Sequence, residues 1–140
     1  MEHLHLEYEV DGNNFVSAGQ ATEKVKFCLK GMGINPADIR RIAIAMYEAE
    51  INMVIHANGG KALVDIFVDK IVVKLVDTGP GIADIDKAMT PGFSTATDSI
   101  RDLGFGAGMG LPNMKKYTDE MYVESTVGVG TTITLVVNFS

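Results

Sequence analysis

Polar and apolar residues alternate over residues 3–10, where Leu4, Leu6, Tyr8 and Val10 fall on one face at the period of a half-buried strand. Asp11-Gly12-Asn13-Asn14 is turn chemistry. The period then lengthens: Phe15, Ala18, Ala21, Val25, Cys28 and Leu29 recur at helical spacing across 15–30, and Gly31-Met32-Gly33 closes that helix. Asn35-Pro36 puts an N-cap residue before a proline at the first helical position, so a second helix starts there and runs to Asn58, with Gly59-Gly60 as its stop. Runs rich in Val and Ile at 62–69 and 71–77 predict two strands, joined through Asp69-Lys70 as an antiparallel hairpin.

Beyond Thr78 the periodicity weakens. A short helical turn is expected at 82–88 and a long loop over about 90–106, a length that usually carries function. A helix at 111–117 follows directly from a run of glycines. Two closing strands, 120–126 and 131–139, flank Val127-Gly128-Val129-Gly130. The order β α α β β, loop, α β β predicts an α/β (α+β) two-layer sandwich: a mostly antiparallel mixed sheet with helices over one face.

Composition narrows what such a sandwich can do. At 140 residues the chain is close to the length of one domain, and 46% hydrophobic against 21% charged residues excludes a disordered chain. A net charge of −6 argues against a nucleic-acid binder, which needs cations facing phosphates. No apolar stretch is long enough to span a bilayer, and the alternating, acidic N-terminus is no signal peptide, so a cytoplasmic protein is expected. The lone Cys28 permits neither an internal disulfide nor a cysteine zinc site and is expected to pack as a small buried hydrophobe. Glycine is the departure: nine of 15 lie between Gly79 and Gly130. An ordered glycine costs backbone entropy and contributes nothing to a core, so the cluster points to a ligand approaching the backbone.

Candidate chemistry lies on the second helix and in three glycine boxes. That helix is apolar on nearly every face, yet Glu48, Asn52 and His56 stand at i, i+4 and i+8 along one side. Glu48 can be a carboxylate base and Asn52 an oxygen ligand for magnesium; the plainer reading is a Glu48–cation pair and an Asn52 bond to backbone. His56 reads as a satisfied helix-end histidine. Glu50, roughly opposite Glu48, reads as a solvated edge or an interface. Asp77 ends a strand in D-x-G-x-G with Gly79 and Gly81, where it can accept a hydrogen bond from an exocyclic amine while the glycines admit a flat ring. Gly104-Phe105-Gly106-Ala107-Gly108-Met109-Gly110-Leu111 leads into a helix with unshielded N–H groups, an anion site without the Walker lysine. Gly128-Val129-Gly130-Thr131 bends into the last strand and can offer the Thr131 hydroxyl to the same pocket.

Glu48-x₃-Asn52, then D-x-G-x-G, a glycine lid entering a helix, and G-x-G-T resemble, in that order, the GHKL superfamily of ATP-binding domains. The stretches E-A-E-I-N-M-V-I-H-A and P-G-F-S-T look more specifically like the bacterial anti-sigma factor serine/threonine kinases and the stressosome-type switch kinases. The resemblance implies a single Bergerat-type ATPase domain over 1–140 with an ATP lid at about 90–107. It implies ATP and Mg²⁺ as ligands, Glu48 as base toward an acceptor serine, Asn52 as magnesium ligand, and Asp77 bound to the adenine amine with Thr131 assisting through water. Gly79 and Gly81 would make room for the nucleoside, and the backbone from Gly104 to Gly110 would close over the phosphates. The helix from Leu111 would point its positive end at them, and Arg101, Lys115 or Lys116 would add charge. Glu50 departs from the family pattern, which has a small or apolar residue there. The implied activity is phosphorylation of a STAS-domain antagonist that controls a sigma factor or switch complex. A sigma factor or switch phosphatase would be a further partner, and a homodimer the assembly. The alternatives are a non-catalytic ATP-binding anti-sigma or scaffold module and a detached histidine-kinase catalytic domain.

Overall fold

In the computed structural model, residues 3–11, 19–57, 59–79 and 110–140 are described. Strand β1 (Leu4–Asp11) precedes helices α1 (Gln20–Gly31) and α2 (Pro36–Ala57), then strands β2 (Gly59–Ile66) and β3 (Lys70–Val76). Helix α3 (Gly110–Lys116) leads into β4 (Glu120–Thr126) and β5 (Gly130–Asn138). The sheet order is β1-β2-β3-β5-β4, and all four pairings are antiparallel, so no parallel component accompanies them among the described residues.

Burial alternates along the central strands. Ala62, Val64 and Ile66 of β2, Ile71, Val73 and Leu75 of β3, and Ile133, Leu135 and Val137 of β5 all enter one core. Helix α1 meets it with Ala21, Val25 and Leu29 at i, i+4 and i+8, α2 with Ile42, Met46, Ala49 and Met53, and α3 with Leu111 and Met114. Cys28 is half-buried against this core rather than within it.

Helix ends follow local chemistry. Gly33 takes φ 76°, and Ile34 N donates to Leu29 O (3.1 Å) while Gly33 N donates to Lys30 O (3.1 Å), the paired bonds of a glycine-terminated helix end. Asn35 caps α2, its Oδ1 accepting from Ala37 N at 2.9 Å. Helix α1 begins at Gln20, preceded by Gly19 at φ 97° as its N-cap, and the expected start near residue 15 lies outside the described residues. Strand β2 starts at Gly59, not at 62, because Gly59 and Gly60 pair with Asp11 and Val10 of β1 instead of ending in a loop. Phe67-Val68-Asp69 then turns the hairpin, closed by Phe67 N donating to Lys70 O at 2.8 Å. The helical turn expected at 82–88 and the lid at 90–107 lie outside the described residues.

Candidate functional site

Helix α2 is threaded through the core, so its polar residues are conspicuous. Glu48 and Asn52 are both half-buried, one turn apart, on the side of α2 that α3 packs against at Glu48. Burial pushes the Glu48 carboxyl above the usual glutamate range, and a hydrogen bond donated by Asn113 Nδ2 to Glu48 Oε1 (3.4 Å) opposes that rise. Among the described residues no cation pairs with Glu48. A carboxylate half out of water with an elevated pKa has the character of a proton acceptor. The Asn52 amide has no bond to a described residue. It presents a hard oxygen of the kind magnesium takes, alongside waters and phosphates. That donor set suits magnesium carried in with a nucleotide, and no group of three or more His, Cys, Asp or Glu ligands competes with it among the described residues.

Asp77 follows β3 directly and is held by main chain. Its Oδ1 accepts from Gly79 N (3.0 Å) and from Thr131 N (3.1 Å), while its own N–H donates to Thr131 O (3.0 Å). Gly130 permits this junction. At φ 149° its backbone passes so close that an added Cβ would stand 2.1 Å from the Asp77 carbonyl oxygen. Here the close backbone approach is made by the protein's own chain, not by a ligand. Gly128 likewise serves the β4–β5 hairpin, with φ 79° at its turn. Thr131 is buried, and its hydroxyl shares a 2.9 Å hydrogen bond with Ser125 on β4.

The structure thus brings Asp77, Gly79 and Thr131 together at the ends of β3 and β5, and Glu48 together with Asn113 between α2 and α3. Gly110 opens α3, and the Leu111 side chain points into the core. Gly81, Gly104, Phe105, Gly106, Ala107, Gly108 and Met109 lie outside the described residues, as does the His56 side chain. Lys115 and Lys116 occupy the last turn of α3, at the end away from the glycine run, and Lys116 Nζ sits 5.4 Å from the Tyr117 ring centroid.

Glu50 corrects the sequence reading. It is no solvated edge: it is 2% exposed and accepts four hydrogen bonds at the start of α1. Oε2 takes Gly19 N (2.7 Å) and Ala21 N (3.3 Å), and Oε1 takes Thr22 N (3.0 Å) and the Thr22 hydroxyl (2.8 Å). The physical reason is that a helix N-terminus offers unpaired N–H groups and a partial positive charge, which a carboxylate from a neighbouring helix satisfies. Asn113 was missed altogether. Its only sequence signal is a polar residue between two apolar ones, Leu111 and Met114, on a short helix.

The chain that carries this strand-tip aspartate and these two polar residues on the buried helix matches a known family. The model of the histidine kinase-, DNA gyrase B- and HSP90-like ATPases matches residues 31–140. The chain belongs to this family. An anti-sigma F factor of Caldanaerobacter subterraneus subsp. tengcongensis is 39% identical over 101 residues, 69% of this chain and 67% of that protein. Serine/threonine-protein kinase RsbT of Bacillus subtilis is 36% identical over 108 residues, 74% of this chain and 75% of that one. Among solved structures, the RsbU and RsbW domains of a Mycobacterium tuberculosis protein superpose with a TM-score of 0.64 at 18% identity, over 99% of this chain and 32% of that chain. The mycobacterial sensor histidine kinase MprB does so at 0.54 and 15%, over 97% and 98%. These likenesses bear on the fold.

Proposed function

We propose that the chain is an ATP-dependent protein serine/threonine kinase of the anti-sigma regulatory type, phosphorylating a STAS-domain antagonist and thereby controlling a sigma factor or switch complex. The observation that carries this reading is Glu48, a carboxylate with a raised pKa, one helical turn from the open Asn52 amide. Its support outside the site is the similarity to RsbT, named a serine/threonine-protein kinase, and to the anti-sigma F factors.

Phosphoryl transfer asks the protein for positioning and charge stabilisation more than for covalent chemistry. Bound MgATP supplies the phosphoryl group and neutralises its charge. Asn52 would hold the magnesium through its amide oxygen. Asp77, whose Oδ1 is committed to Gly79 and Thr131, has Oδ2 to accept a hydrogen bond from the adenine amine, with Thr131 beside it. Gly79 and Gly81 would leave room for the nucleoside. The backbone of Gly104, Phe105, Gly106, Ala107, Gly108, Met109 and Gly110 would close over the phosphates, and Leu111, its side chain in the core, would contribute through its N–H. Glu48 takes the proton of the acceptor hydroxyl as its oxygen bonds to the γ-phosphorus and the bond to ADP breaks. The reading makes 1–140 one domain with its lid at about 90–107, working in the cytoplasm, as a homodimer. No helix among the described residues is long and apolar enough to cross a membrane.

The test is Glu48→Gln. ATP affinity, measured by titration calorimetry, should stay within about twofold, while phosphate transfer to a recombinant STAS-domain protein should fall by roughly a hundredfold or more. Undiminished transfer overturns the assignment of Glu48. Capture of the partner with MgATP, without any transfer by the unaltered chain, assigns a binding module instead.

A further inference from the structure

Outside the nucleotide site, an open groove of ≈ 520 Å³ runs between the C-terminal half of α1 and the N-terminal half of α2. Its apolar lining includes Ile34, Ala43 and Ile44, its cations are Lys26, Lys30 and Arg40, and no carboxylate lines it. The charge is unusual for this chain. Residues 20–44 hold five Lys and Arg against two acidic residues, although the whole chain carries −6. Of those two, Asp38 is buried and occupied by Ser140, whose N and Oγ both donate to it at 2.9 Å. Glu23 pairs with Lys26 at 3.3 Å. Among the described residues no carboxylate pairs with Lys30 or Arg40. Phe27, beside Lys26 on α1, is 81% exposed.

The groove also has a direction. Arg40, Ile44, Glu48 and Asn52 follow one another at four-residue intervals along α2, so the groove ends about 6 Å, one turn, before Glu48. We propose that it docks an acidic, amphipathic segment of the phosphoacceptor protein. The segment's apolar ridge lies on Ile34, Ala43 and Ile44, its carboxylates meet Lys30 and Arg40, and the acceptor hydroxyl is thereby delivered to Glu48. The proposal rests on the kinase reading and names how that site takes its protein substrate. A cationic rim on an acidic molecule selects an acidic partner by attraction at the groove and repulsion elsewhere.

The experiment is steady-state transfer by the full chain to recombinant STAS-domain proteins of the same genome, comparing the unaltered chain with K30E/R40E and with K74E on the opposite face of the sheet. K30E/R40E should raise the KM for the acceptor at least tenfold, leaving kcat at saturation, the KM for ATP and the melting temperature unchanged. K74E should alter none of these, and added salt should raise the acceptor KM of the unaltered chain. An unchanged acceptor KM in K30E/R40E, or an equal rise in K74E, overturns the docking proposal. If the unaltered chain transfers no phosphate, the kinase reading falls by itself, and fluorescence anisotropy with the same STAS-domain proteins and MgATP decides the groove. Tenfold weaker binding by K30E/R40E then supports docking; equal affinity, or no binding to any of them, overturns it.

Discussion

Two opposed influences set the ionisation of Glu48. Packing of α3 over α2 removes part of its water and raises its pKa, while the Asn113 amide favours the ionised form. Asn113→Leu removes the second influence and keeps the first, so the acidic limb of the pH–rate profile should move to higher pH, read from kcat across the titration. The stability consequence has a definite sign. A carboxyl whose folded pKa is raised loses stabilisation as pH rises through that value, so ionised Glu48 costs stability at neutral pH. Glu48→Gln should therefore melt above the unaltered chain at pH 7, the difference disappearing below the ordinary glutamate range. Glu48 and Asn52 were legible in the sequence because polar residues four apart on an apolar helix stand out. Asn113 was not, because its significance depends on a partner 65 positions away that only the packing of two helices provides.

At the scale of elements, the link between α1 and α2 is electrostatic as well as apolar. Glu50 projects from the middle of α2 and closes the first turn of α1, so the two helices share a cap. Glu50→Ala leaves three N–H groups and a hydroxyl without their acceptor, and should cost on the order of 3 kcal/mol in urea unfolding. Glu50→Gln retains one oxygen and should cost less. Every described strand and helix was legible in the sequence, β1 and α1 from their periods, α2 from its Asn35-Pro36 start, and β2 and β3 from runs rich in Val and Ile. Boundaries were harder at glycine. Gly19, left-handed at φ 97°, stands just before α1 inside a stretch whose apolar spacing reads as helix, and Gly59-Gly60, an ordinary helix stop, also supplies the first two residues of an edge pairing.

For the whole molecule, ligand binding and folding stability are linked. MgATP at 100 times its dissociation constant should add about 2.7 kcal/mol, read as a rise in melting temperature that Asp77→Asn, which keeps an oxygen for the scaffold, removes. No shift at millimolar ATP, with and without magnesium, would contradict a nucleotide site. The glycine excess in the second half of the chain reads as a ligand site in the sequence, and two of its described members have another use. Gly128 and Gly130 serve a hairpin and the meeting of two strands. The net charge was less informative than its distribution: an acidic total conceals a basic face on α1 and α2.

The division of labour between the two oxygens of Asp77 decides which variants can be interpreted. Oδ1 belongs to the scaffold, bonded to Gly79 and Thr131, so alanine at this position unfastens β5 from the end of β3 at the same moment that it removes a ligand contact. Asparagine keeps an oxygen for the scaffold and replaces the other with a donor, which turns an acceptor for an amine into its mirror opposite. Comparing the two substitutions therefore separates architecture from recognition at a single atom.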